Sequence, residues 1–179
     1  MSTLVKDKYD LRGLCCTKSG DILACTGPGD TARVVRYRSS GEKIQEIMYD
    51  HNGKKLYSNS RCVCENINGD VCVADLSGPD KLVVVNMDGE FRFHYDGKTG
   101  HLRKKTFTPC EIATDSLGHI LISDYMNNVL HLISKDGEFI SFLFIPDVLG
   151  PYGLSIDKSD NLWLGESQKS CVKIYKFLG

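Results

Sequence analysis

Apolar residues in this chain come in short bursts and never in long runs. Residues 110–115 read CEIATD, alternating along the run; Ser-Leu-Gly-His follows, then ILISD, the polar loop YMNN, the run VLHLIS, the triplet Lys-Asp-Gly and the run EFISFLFI. Short runs rich in Val, Ile, Leu, Phe and Tyr, with stretches of period two and closed by Gly, Asp and Asn, predict β-strands joined by tight turns. No long 3.6-residue pattern occurs, so helix is predicted only as a minor component.

The same pattern recurs along the chain. Gly20-Asp21-Ile22-Leu23, Gly69-Asp70-Val71-Cys72 and Gly118-His119-Ile120-Leu121 start 49 residues apart, and Asp160-Asn161-Leu162-Trp163 follows 42 residues later. A second marker keeps step: Gly41-Glu42, Gly89-Glu90 and Gly137-Glu138 are spaced by 48. Gly69, Gly118, Gly89 and Gly137 are expected at turn positions of positive φ. A period of roughly 40–50 residues carried by short strands predicts an all-β chain of β-propeller blades. The blades are placed at about 10–60, 61–108, 109–150 and 151–179, within one propeller region spanning 1–179, with residues 1–9 as an N-terminal strand. A four-stranded sheet has two apolar faces and cannot cover both itself. Stacked radially, each sheet shields its neighbour. Burying one Leu, Ile or Phe yields ~1.5–3 kcal/mol and ordering one residue costs ~1–2 kcal/mol, so the core is expected between blades.

Composition narrows the function classes. The chain has 179 residues, 41% hydrophobic and 25% charged, with a formal net charge of -1. That balance carries no overall pull toward nucleic acid or anionic lipid. No apolar run approaches the ~18 residues of a membrane helix, and MSTLVKDKYD offers no secretory signal; the expected location is the cytoplasm. The eight cysteines include the vicinal pair Cys15-Cys16 and the pair Cys62-x-Cys64, with no CxxC and no suitably spaced His. Reduced thiols, several of them small core residues, are therefore expected in place of a disulfide framework or a zinc site.

Pro109-Cys110-Glu111-Ile112-Ala113-Thr114-Asp115 leads into Gly118-His119-Ile120-Leu121-Ile122-Ser123-Asp124, then Asn127-Asn128-Val129. Pro151-Tyr152-Gly153-Leu154-Ser155-Ile156-Asp157 opens the fourth unit in the same way, and Gly69 to Asp75 match in the second. With no Trp-Asp ending and no Gly-Gly opening, the units differ from WD40 and kelch repeats and resemble the NHL repeat. The first unit, with Cys25-Thr26 at the Val-x-Asp position, matches less well. The resemblance spans about residues 11–178. DGEF and the ending VKIYKFL are similar to the C-terminal region of tripartite-motif (TRIM) proteins. There the propeller follows a RING, B-boxes and a coiled coil, and the RING supplies ubiquitin-ligase activity. This chain has no Cys/His-rich array and no heptad run, so a ligase role would belong to a longer parent, and the chain itself is expected not to be an enzyme.

The family's propellers usually have six blades. Here the fourth unit ends after its third strand, as expected where an N-terminal strand completes the last blade, so the C-terminus reads as native and the N-terminus as shortened. Two arrangements fit: part of a six-bladed propeller, read as an open arc, or a closed four-bladed ring in which residues 2–9 pair with 171–178. The arc would expose sheet faces and edges through which the chain could self-associate.

The resemblance implies function at the face where the loops joining second to third strands, at 26–33, 75–81, 124–128 and 166–170, gather with the loops joining blades. Candidate partner contacts there are Arg33, Lys81, Tyr125, Asn127, Asn128, Tyr152 and Lys169. The resemblance implies a substrate-recognition module whose partner is a protein. RNA binding is the rival reading, but these loops carry few cations and phosphate contacts need several on one face. The densest cluster, Arg103-Lys104-Lys105, lies in the connection before the third unit. A third reading is a metal-dependent lyase or lactonase of the propeller type. His51, His94, His101, His119 and His131 form no repeated set at the innermost strands, so no metal, cofactor or catalytic residue is assigned. Asp75 and Asp124 are expected to cap the loop after the second strand, and Asp115 and Asp157 to play similar structural parts.

Overall fold

The computed structural model describes residues 9–76, 78–98 and 105–177. Among these residues fifteen strands form four antiparallel sheets, each a meander in chain order. The first contains β1 (Leu11–Cys16), β2 (Ile22–Thr26), β3 (Arg33–Tyr37) and β4 (Lys43–Ile47). The second contains β5 (Ser60–Glu65), β6 (Val71–Asp75), β7 (Lys81–Val85) and β8 (Phe91–Tyr95). The third contains β9 (Pro109–Thr114), β10 (Ile120–Asp124), β11 (Val129–Ile133) and β12 (Phe139–Leu143). Among the described residues the fourth contains β13 (Pro151–Ile156), β14 (Asn161–Glu166) and β15 (Cys171–Lys176). One 3-10 turn, Gly29–Thr31, is the only helical element among the described residues, and no helix is long and apolar enough to cross a membrane.

Strand alternation sends the two faces of each sheet to different neighbours, as period-two geometry requires. In β6, Val71 and Val73 pack with Leu23, Val34 and Ile47 of the first sheet, while Cys72 and Ala74 pack with Ile112, Ile120 and Ile122 of the third. In β10, Leu121 turns the other way, toward Leu162 and Leu164 of the fourth. The cores therefore lie between blades, and the chain is a β-propeller arrangement of four radially stacked sheets.

The innermost strands pack in sequence, β1 on β5, β5 on β9 and β9 on β13, and among the described residues no comparable contact joins β13–β15 to β1–β4. The outward face of the last sheet leaves Trp163 40%, Ile174 55% and Val172 69% exposed. A closed four-bladed ring would cover that face, so the described sheets form an open arc. The pairing of residues 2–8 with the C-terminal strand, and the positions of Arg103 and Lys104, lie outside the described residues.

The turn markers have the expected geometry. Gly20, Gly69 and Gly118 have φ of 87°, 79° and 89°, and Asp160 takes the same left-handed region at 54° in the fourth copy. Gly137 (φ 91°) has a second reason to be glycine, since a Cβ there would lie 2.6 Å from the Phe93 ring of the preceding blade. Gly89 (φ 89°) faces Ile47 less tightly, with a Cβ 3.2 Å away. All eight cysteines are free, and five of them are buried.

Candidate functional site

Each innermost strand carries one residue more than the strand it pairs with. Leu11 and Gly13 pair with Thr26 and Cys25, leaving Arg12 extra; Ser60 and Cys62 pair with Asp75 and Ala74, leaving Arg61 extra. Pro151 and Gly153 pair with Glu166 and Gly165, leaving Tyr152 extra, and in the third blade Cys110 and Glu111 together stand opposite Ser123. A bulge bends its strand and re-aims the side chain at the extra position. Four register-equivalent bulges thus place Arg12, Arg61, Cys110 and Tyr152 around one pocket at the axis of the arc. The cavity is about 310 Å3 and is also lined by Cys62 and Glu111.

Hydrogen bonds between blades hold this end together. Ser123 Oγ accepts from the Glu111 amide at 2.9 Å and donates to the Tyr152 carbonyl at 3.0 Å, joining the third bulge to the fourth. Ser60 Oγ donates to the Thr26 carbonyl, joining the second blade to the first. The carboxylates that end the second strands brace the chain entering the innermost strand. Asp75 Oδ1 accepts from the Ser58 and Asn59 amides at 2.9 and 2.6 Å, and Glu166 Oε2 accepts from the Leu149 amide at 2.9 Å. Asp124 Oδ1 accepts from the Thr108 amide at 3.2 Å and the Asn127 amide at 3.3 Å. Asp124 thus caps the loop that follows it, and all three carboxylates also satisfy free N–H groups of the chain entering the innermost strand of their own blade. Asp115 and Asp157 do brace the turns after them, through the amides of Leu117 and His119 and of Ser159 and Asn161.

Of the residues expected to meet a partner, the structure brings two together. The Tyr125 and Tyr152 rings meet edge-on, 6.3 Å between centroids at 90°, and the Arg61 guanidinium lies 5.2 Å over Tyr152. Gln168 Nε2 donates to the Tyr125 hydroxyl at 3.4 Å. The others are used within the fold or lie elsewhere. Arg33 is 9% exposed, with NH1 donating to Glu46 Oε1 at 2.8 Å and its guanidinium over Tyr9. Asn127 Nδ2 donates to Asp124 Oδ2 at 2.8 Å, and its Oδ1 accepts from the Lys105 amide. Asn128 (φ 56°) accepts from the Gly150 amide at 2.8 Å, and Lys169 Nζ donates to the Asp147 carbonyl. Lys81 stands opposite Asp75 in the sheet and lines a separate pocket with Lys54, His94 and Lys98.

Arg12, Arg61 and Glu111 are the site residues that sequence reasoning missed. The signal available was the shared register of Arg12 and Arg61 in the repeat, 49 residues apart. Glu111 is held above the ordinary carboxylate range because burial disfavours its charge; the Ile112 amide and the Cys62 thiol, which donate to it, and Arg61 offset this only in part. Burial likewise pushes the Cys110 thiol up to about 11 and the Cys62 thiol well above its usual value, so neither is a ready nucleophile at neutral pH. Among the described residues no three His, Cys, Asp or Glu side chains stand close enough together to hold a metal ion.

The stacked sheets and the axial pocket define the class: this is a β-propeller. No family model and no curated protein matches the chain. Solved structures do match. It is similar to a streptogramin B lyase (TM-score 0.67, 16% identity, covering 92% of this chain and 54% of that one). It is also similar to the catalytically inactive H270A virginiamycin B lyase of Staphylococcus aureus with quinupristin (TM-score 0.65, 19% identity, covering 97% and 58%). A third match is a putative gluconolactonase (TM-score 0.63, 19% identity, covering 95% and 64%). At these identities the likeness is one of fold, and the chain spans less than two thirds of the length of each.

Proposed function

We propose that the chain is a noncatalytic protein-recognition module that presents the loop-bearing end of its propeller arc to a partner protein. The observation that carries this reading is the cluster of exposed Tyr152 with half-buried Tyr125 and Arg61, drawn from three different blades and held in or beside strand ends. Tyr and Arg are the residue types enriched where protein interfaces concentrate their binding energy. The NHL-like units and the resemblance to TRIM C-terminal regions support the same role, as the substrate-binding part of a larger ubiquitin ligase. RNA binding has less support, since Arg33 and Lys169 both face partners within the fold.

The test is quantitative capture of partner proteins by immobilised chain, compared among wild type, Tyr125→Ala and Tyr152→Ala. Near-UV circular dichroism establishes that the variants are folded. Loss of the same captured protein in both variants supports the reading. Unchanged capture, or salt-sensitive retention of single-stranded RNA in its place, overturns it.

A second reading is favoured by the fold neighbours, a lyase or lactonase working at the axis. There Glu111, with its raised affinity for a proton, would be the general acid or base. Turnover of a cyclic ester that is lost in Glu111→Gln would select this reading over the first.

A further inference from the structure

We infer that the axial pocket is a carboxylate-binding site, in which Arg61 takes a glutamate or aspartate side chain, or the C-terminal carboxylate, of the recognised protein. The inference rests on the recognition reading above and names the chemistry that its partner must carry.

The argument starts from Arg61. The bulge in β5 turns it to the axis, where it is half-buried. Among the described residues its guanidinium makes no hydrogen bond and no ion pair; Tyr152, at 5.2 Å, covers its face and supplies no acceptor. A guanidinium has five N–H donors in a planar fork, and drawing them out of water without acceptors is unfavourable. The one carboxyl lining the pocket does not supply the missing acceptor. Glu111 forms no ion pair with Arg61 or Arg12 and instead accepts from the Ile112 amide at 3.3 Å.

Arg12, at the equivalent bulge, adds a second positive charge to the rim. Its Nε donates to Asp10 Oδ2 at 3.1 Å and its NH1 to Asn59 Oδ1 at 3.3 Å, so it is oriented while NH2 stays available. A carboxylate matches the Arg61 fork in two parallel N–H···O bonds. A singly charged group also suffers less repulsion from Glu111 than a phosphate dianion would. The cavity of about 310 Å3 is large enough for a side chain and its carboxylate.

The test uses the full 179-residue chain and three blocked pentapeptides: acetyl-Gly-Gly-Glu-Gly-Gly-amide, its Gln counterpart, and acetyl-pentaglycine with a free C-terminus. Inorganic phosphate serves as the fourth probe. Binding is read from NMR shifts of the Arg61 Nε–H and the Tyr152 ring. The expected result is saturable binding of one or both carboxylate peptides, none by the Gln peptide, and at least tenfold weaker binding in both Arg61→Ala and Arg61→Gln. Whichever carboxylate peptide binds more tightly identifies the source. Tyr125→Ala, which does not line the pocket, should retain peptide binding while losing partner capture. The inference is overturned if neither carboxylate peptide shifts these signals, if only phosphate does, or if binding survives both Arg61 substitutions. In those cases partner capture through Tyr125 and Tyr152 still decides the recognition reading separately.

Discussion

The Tyr95 hydroxyl lies 2.7 Å from His131 Nδ1, across the junction between the second and third blades. The other ring nitrogen of His131 is 3.1 Å from Asp124 Oδ2. With Nε2–H donating to the carboxylate, Nδ1 accepts from the tyrosine, and all three groups are buried. Phe107 and Phe142 pack on the imidazole, with ring centroids 4.8 and 4.9 Å away. The chain of bonds thus ties the outermost strand of one blade to the carboxylate that braces the innermost strand of the next.

Tyr95→Phe is expected to leave the His131 nitrogen without its partner in a dry site. The cost should be ~1–3 kcal/mol, the usual penalty for a stranded buried polar group. Urea unfolding would show it as a lower midpoint at unchanged slope.

Gly137→Ala should be more damaging than Gly20→Ala. Both residues lie near φ 90°, which costs roughly 1–2 kcal/mol for a residue with a Cβ, but only at Gly137 does the new methyl meet a neighbouring ring, Phe93 at 2.6 Å. A further loss of about 1–3 kcal/mol from overpacking is expected there. Parallel thermal melts of the two variants measure the difference.

Tyr57 is fully buried between the first two blades, and among the described residues its hydroxyl has no hydrogen-bond partner. Tyr57→Phe should therefore be neutral or stabilising by up to about 1 kcal/mol, because the variant avoids desolvating a hydroxyl that gains nothing on folding. A fall in the urea midpoint would show that the hydroxyl is satisfied in solution.

Glu111→Gln should raise stability in a pH-dependent way. The folded carboxyl binds its proton more tightly than the unfolded one. Its ionisation therefore costs folding free energy as pH rises from the unfolded pKa through the folded one, and the full cost remains above that range. The neighbours that modulate it are Arg61 and the Cys62 thiol. The variant's advantage in melting temperature should be absent in acid, where both forms are neutral, and should grow to a plateau toward neutral pH. An advantage that does not change with pH would mean that Glu111 titrates alike in both states.

The strand text was legible because its signals are local. Lys135-Asp136-Gly137 needs only its own backbone preferences to announce a turn, and VLHLIS needs only alternation to announce a buried strand. The site was legible in part. Tyr125 stands out as an aromatic in a loop and Tyr152 as one at the opening of the fourth unit, and the structure sets them edge-on. Arg33 carries the same charge as Arg61 but is bound to Glu46 across a strand pair, and nothing in the loop text distinguishes the two fates. Asn127 and Asn128 look like contact residues by type, yet both satisfy backbone groups of neighbouring segments.

By itself the sequence determined the all-β class, the blade period and the turns, since glycine spacing and strand alternation act within a few residues of each position. Only the tertiary structure decided which side chains reach the axis. One extra residue per innermost strand reverses the inward and outward parity beyond it, and that parity is set by pairing with a distant strand and by packing against the next blade. Arg61, Glu111 and Tyr152, which come from three blades, therefore share one pocket for a reason that no single stretch of the chain contains.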